Sequence, residues 1–132
     1  MKQLYFTTFS LLILFCPFYV TAQEEVPKEL LLTTLNNVAH MKWENDQVNQ
    51  LMEYNKGFVD DIYEVLESDE EDKRKKEKLD VLSYQRQIDL HEFLSKHQTN
   101  RYLKYMEDEM KPLTRKNKLL KRISKPQKMK HK

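Results

Sequence analysis

The chain has 132 residues, a formal net charge of +2, 33% charged residues, one cysteine and one glycine. That length fits one small domain, and the scarcity of turn residues excludes a β-rich fold, which needs them at every chain reversal. With no HExxH, no CxxC and no glycine-rich phosphate loop, the sequence also lacks common signatures of metal-dependent and nucleotide-using enzymes.

Residues 1–22 read as a secretory signal peptide. Lys2 supplies the positive start, an apolar stretch runs from Leu4 to Tyr19, and Val20, Thr21 and Ala22 offer small residues for cleavage. The stretch is too short and poorly flanked for a comfortable span, which needs about 20 apolar residues. Export to the periplasm is the expectation, with secretion as the alternative. Cys16 leaves with the signal, so the exported chain has no thiol for the disulfides that usually reinforce small secreted domains. Its stability must come from long helices, from a partner or from self-association.

The helical domain, residues 23–110, carries apolar and charged residues at helical spacing, so the fold class is all-α, with about four helices. Residues 24–41 predict a first helix, with Pro27 near its first turn and an apolar stripe through Leu31, Leu35 and Val38. Residues 45–66 have the clearest period, from Val48 and Leu51 to Val65 and Leu66; Gly57 lies inside and marks a bend or a close helix contact. Ser68 or Asp69 is placed to cap a third helix that begins among acids, continues through Lys73, Arg74, Lys75 and Lys76, and keeps its apolar face to Leu94. A fourth helix begins after Leu94 and runs to about Met110, after which Pro112 interrupts it.

Residues 111–132 form a basic tail with ten Lys and Arg and no acid, whereas residues 23–110 hold 12 Lys and Arg against 21 Asp and Glu. Such polarity favours folding of the tail onto the body, association with another copy, or a solvated, disordered tail. Leu113, Leu119, Leu120 and Ile123 give the tail a short amphipathic helix able to lie on an anionic membrane, with disorder beyond Pro126. Nucleic acid, the usual partner of a basic tail inside the cell, conflicts with export.

Candidate catalytic chemistry is thin, and no cofactor is implied. His40, His91, His97 and His131 are scattered, and Asp60, Asp61 and Glu64 read as a solvated helix face. His91, Glu92 and His97 offer the one conceivable metal combination, a minor alternative to no metal at all. Tyrosines and methionines are more informative, because they make adaptable apolar contacts. Tyr102, Tyr105, Met106 and Met110, followed by Lys111, Arg115, Lys116, Lys118, Lys121 and Arg122, form the candidate partner-binding set. Most of the aromatic and methionine residues are expected in the core and a dimer seam.

Two helix starts share a frame. Ser95 and Gln98 make a capping box after Leu94, in which each side chain satisfies the other residue's backbone N–H. Upstream, Trp43 stands four positions before Gln47, where it can staple against Val48, and Asn45 is a better cap than Glu44. Both stretches resemble the LTxxQ motif of the Spy/CpxP-like family of small periplasmic proteins of Gram-negative bacteria. The resemblance covers residues 39–112, with Trp43 and Glu44 in place of Leu-Thr in the first copy and Ser95 in place of Thr in the second. It implies a cradle-like homodimer of long bent antiparallel helical hairpins that acts as an ATP-independent chaperone for unfolded or stressed envelope proteins, or as a regulatory partner of a membrane stress sensor. It also implies a structural role for Trp43, Gln47, Leu94, Ser95 and Gln98.

Overall fold

A computed structural model describes residues 25–126. These form six α-helices: α1 Lys28–Leu35, α2 Asn45–Leu66, α3 Asp72–Leu90, α4 Lys96–Glu109, α5 Lys111–Lys116 and α6 Lys121–Ser124. Two 3-10 turns, Ala39–Met41 and Lys118–Leu120, complete the inventory, and no strand occurs among the described residues. The expected signal peptide, residues 1–22, and the segment after Pro126 lie outside them.

The first helix is shorter than its apolar pattern predicts. Pro27 caps α1 from outside, its carbonyl accepting the N–H groups of Leu30 and Leu31 at 3.0 and 3.2 Å. Asn36 and Asn37 end the helix, as short amides that favour caps and turns over helix interiors. The stripe nevertheless stays internal, because the 3-10 turn carries Val38 and Met41 back into the core. Lys42 then adopts a left-handed conformation, φ 55°, to reverse the chain before α2. A non-glycine residue there costs roughly 1–2 kcal/mol.

The α2 boundaries coincide with the predicted ones, and its buried face is Leu51, Asn55, Phe58, Val59 and Ile62. Gly57 does not mark a close helix contact: it is exposed, and a Cβ there would meet nothing within 4 Å. Between α2 and α3 the cap is Glu71, not Ser68 or Asp69. Ser68 instead donates its hydroxyl to Val65 O at 2.7 Å and finishes α2. Lys75 Nζ donates to Leu66 O at 2.9 Å, tying the start of α3 to the end of α2. α3 stops at Leu90, four residues short of prediction, and the Leu94 N–H closes the turn on Leu90 O at 2.9 Å.

Pro112 opens a helix as well as closing one. It sits in the first turn of α5, where a missing N–H is harmless. From there the basic segment folds onto α3 and joins the core, with Leu113, Leu119, Leu120 and Ile123 all buried. Of the three arrangements open from charge alone, residues 111–124 take the folded-back one. One core thus receives side chains from every helix, and no helix among the described residues is long and apolar enough to cross a membrane.

Candidate functional site

The two motif frames meet at their glutamines. At the second, Gln98 N–H donates to Ser95 Oγ at 3.0 Å and Ser95 N–H donates to Gln98 Oε1 at 2.9 Å, the predicted capping box. At the first, Glu44 N–H donates to Gln47 Oε1 at 3.3 Å, so Glu44 and not Asn45 is the cap. Gln47 Nε2 donates to Gln98 Oε1 at 2.9 Å, and Gln98 Nε2 returns a bond to Gln47 Oε1 at 3.3 Å. A further bond from Gln47 Nε2 to Phe93 O, 3.1 Å, pins the turn ahead of α4. Trp43 lies against Tyr102, ring centroids 5.7 Å apart, and Leu94 is buried.

Tyr102 in turn belongs to a buried polar node. Its hydroxyl donates to Leu35 O at 2.7 Å and accepts from Arg86 Nη2 at 2.7 Å. Arg86 is only 2% exposed, and its guanidinium lies 4.6 Å from the Phe58 ring centre and 5.2 Å from that of Tyr102. Its hydrogen bonds among the described residues reach no carboxylate, and its Nε is unpartnered. Aromatic faces and a phenol therefore hold a buried cation. Asn55 completes the node by donating to Leu35 O at 3.2 Å and Asn36 Oδ1 at 2.8 Å.

The expected partner-binding set divides. Tyr102, Met106 and Met110 are 0%, 2% and 1% exposed, so they fill this chain's own core and present no stripe to a partner. Tyr105 is half-buried, its ring 4.2 Å from that of His40. Lys111 pairs with Asp108 at 2.9 Å and Arg122 with Asp80 at 3.1 Å, while Arg115, Lys116, Lys118 and Lys121 are exposed. No group of three or more His, Cys, Asp or Glu among the described residues is arranged to hold a metal ion.

Open apolar surface occurs elsewhere. Leu30, Met52, Val81 and Ile88 are exposed, Val81 to 67%. Val81 lines a groove of about 480 Å³ between α2 and α3, with Val65 and Leu82 beside it and Asp61, Glu64, Arg74, Glu77 and Lys78 around it. A second hollow of about 320 Å³ continues the first, sharing Asp61 and Leu82 and reaching Glu53, Tyr54, Gly57 and Asp89. Gly57 leaves this stretch open by lacking a side chain.

The groove walls are fixed. Tyr54 donates its hydroxyl to Asp89 Oδ2 at 2.9 Å, and Gln85 Nε2 donates to Asp89 Oδ1 at 2.8 Å. Burial, reinforced by the Asp89 bond, pushes the Tyr54 phenol well above its ordinary 10.0, so it stays a neutral donor. Arg74 pairs with Glu77 at 3.2 Å and Lys78 with Glu70 at 2.6 Å. Asp61 and Glu64 have neither ion pair nor hydrogen bond among the described residues. The arrangement is an apolar strip of Val65, Val81 and Leu82 bordered by charged side chains.

Comparison with protein families, curated proteins and solved structures finds no match. The functional reading therefore rests on the chain's own geometry. Two features escaped sequence reasoning, Arg86 and the groove. Arg86 did leave a trace, because it occupies the core-facing row of Leu79, Ser83 and Leu90.

Proposed function

We propose that this protein is an exported, ATP-independent binding protein that holds segments of other envelope proteins, with the α2/α3 groove as its docking surface. The observation that carries this reading is Val81, 67% exposed and the most open of the exposed large apolar side chains among the described residues, standing beside Val65 and Leu82 in the groove. Exposed apolar surface of this kind, rimmed by polar groups, marks interaction sites. The reciprocal Gln47–Gln98 pair supports a structural role for both motif frames, as the resemblance to the Spy/CpxP-like family implies. Contact is then made by a groove, and not by a cradle lined with Tyr102, Met106 and Met110.

The test uses the chain from Gln23 onward and a reduced, unfolding protein whose light scattering is followed without ATP. Suppression that weakens in Val81→Asp is expected. Equal scattering with and without an equimolar amount of the protein rejects the reading.

A second reading is favoured by one observation. Arg115, Lys116, Lys118 and Lys121 stand exposed on a folded segment whose apolar side is buried. That face suits docking by charge on a sensor domain or an anionic membrane surface, without insertion of Leu119 or Ile123. Binding to vesicles containing anionic lipid, abolished by salt, separates it from the first reading.

A further inference from the structure

Resting on the α2/α3 groove as docking surface, we propose that its partner is a basic amphipathic helix, which lays apolar side chains on Val65, Val81 and Leu82 and sets Lys or Arg against Asp61 and Glu64. Charge selects this partner. The groove and its continuation are lined by Glu53, Asp61, Glu64, Glu77 and Asp89 against only Arg74 and Lys78. Both cations are already held, Arg74 by Glu77 and Lys78 by Glu70. Asp61 and Glu64, one helical turn apart, are left as carboxylates without a counter-charge. An acidic segment entering here meets like charge, whereas a basic one neutralises it and is steered in from a distance.

Shape selects a helix. From Glu53 to Val65 the two hollows follow α2 for about 18 Å at 1.5 Å per residue, the length of roughly three turns of a docked helix. A helix in such a groove anchors through residues three and four apart, while its flanks carry charges to the rim. Gly57 lets the partner approach closely, since the space over its Cα is empty.

The test reads fluorescence anisotropy of three labelled 14-residue helical peptides built from Leu and Ala, with Lys, Gln or Glu on the flanks. The full protein is expected to bind the Lys peptide at least tenfold tighter than the Gln peptide, and the Glu peptide least. Asp61→Lys with Glu64→Lys should reverse that order. Gly57→Trp, whose Cβ meets nothing within 4 Å and whose ring is meant to occupy the second hollow, should abolish binding while helicity is retained. Equal binding of all three peptides, blocked by Gly57→Trp, overturns the charge preference and leaves the groove as a docking surface. Binding of none, or binding indifferent to Gly57→Trp, overturns both. If sedimentation finds a dimer that Gly57→Trp converts to monomer, the occupant is a second copy and the proposal fails.

Discussion

Gln47 and Gln98, 51 positions apart, join their side-chain amides in a cyclic pair, each amide donating to the other. Each also caps its own helix, so the starts of α2 and α4 are locked to one another through two side chains. Gln47 uses both amide hydrogens and both lone pairs: it donates to Gln98 and Phe93 O and accepts from Gln98 and the Glu44 N–H. The amide's chemistry is thus what the pair uses, since neither an ionised carboxylate nor an apolar side chain both donates and accepts.

Gln47→Glu tests this. The carboxylate keeps the bond from Glu44 N–H but faces Phe93 O and Gln98 Oε1 with no hydrogen to offer. A loss of about 2 kcal/mol is expected, as for a polar contact replaced by repulsion. Urea unfolding measures it, and the Gln47→Ala, Gln98→Ala cycle should return a coupling of about 1 kcal/mol. Additive single losses argue against the pair.

Arg86 and Tyr102 should respond in opposite ways. Arg86→Met removes a buried charge that reaches no carboxylate and leaves Tyr102 bonded to Leu35 O, so stability should hold or rise by about 1 kcal/mol. Tyr102→Phe leaves the guanidinium without its 2.7 Å partner, a loss of about 2–3 kcal/mol. Adding Arg86→Met to Tyr102→Phe should recover much of that loss in the same urea assay. A large loss for Arg86→Met alone contradicts this account.

How far the fold could be read ahead depended on the range of each interaction. α2 and the Ser95–Gln98 box were legible because helical period and capping are local. The break at Asn36 was harder, since the buried row Leu31, Leu35, Val38 continues across it in a different backbone conformation. Burial of Arg86 defeats the ordinary preference of arginine for solvent, and only tertiary packing supplies the two aromatic rings that hold it. The same limit hid the groove. Nothing local to Val81 separates an exposed valine from a core one, and tyrosine and methionine content could not say that Tyr102 and Met106 face inward.

The basic segment is structural as well as charged. Leu113, Leu119, Leu120 and Ile123 are buried, and full burial of each contributes roughly 1.5–3 kcal/mol. Together that is on the scale of the whole stability of a small domain, about 5–15 kcal/mol. Deleting residues 111–132 should therefore collapse the thermal unfolding transition seen by circular dichroism. Lys116→Gln with Lys118→Gln and Lys121→Gln, all at exposed positions, should leave the melting temperature within a few degrees. The triple variant, unlike the deletion, then isolates any role of charge in docking. A deletion that melts like the intact chain would mean that these three leucines and Ile123 add nothing to the core.

Alkaline pH should weaken the fold through Tyr54 and Tyr63. Burial is the first cause that raises the Tyr54 phenol, followed by its bond to Asp89; burial also raises Tyr63, followed by Glu67, Glu25 and Glu29. Both phenols bind their protons more tightly when folded than at the ordinary value of 10.0. Their stabilisation is therefore complete below that value and is lost as pH climbs through the raised one. Tyr54 donates to Asp89 and Tyr63 to Val26 O, so ionisation removes a hydrogen bond as well as placing charge beside acids. The urea midpoint followed by ellipticity should stay level up to about pH 10 and then fall, in step with phenolate absorbance. Tyr54→Phe should lower the midpoint at neutral pH and flatten the alkaline decline. An unchanged decline in that variant would assign the effect to other groups.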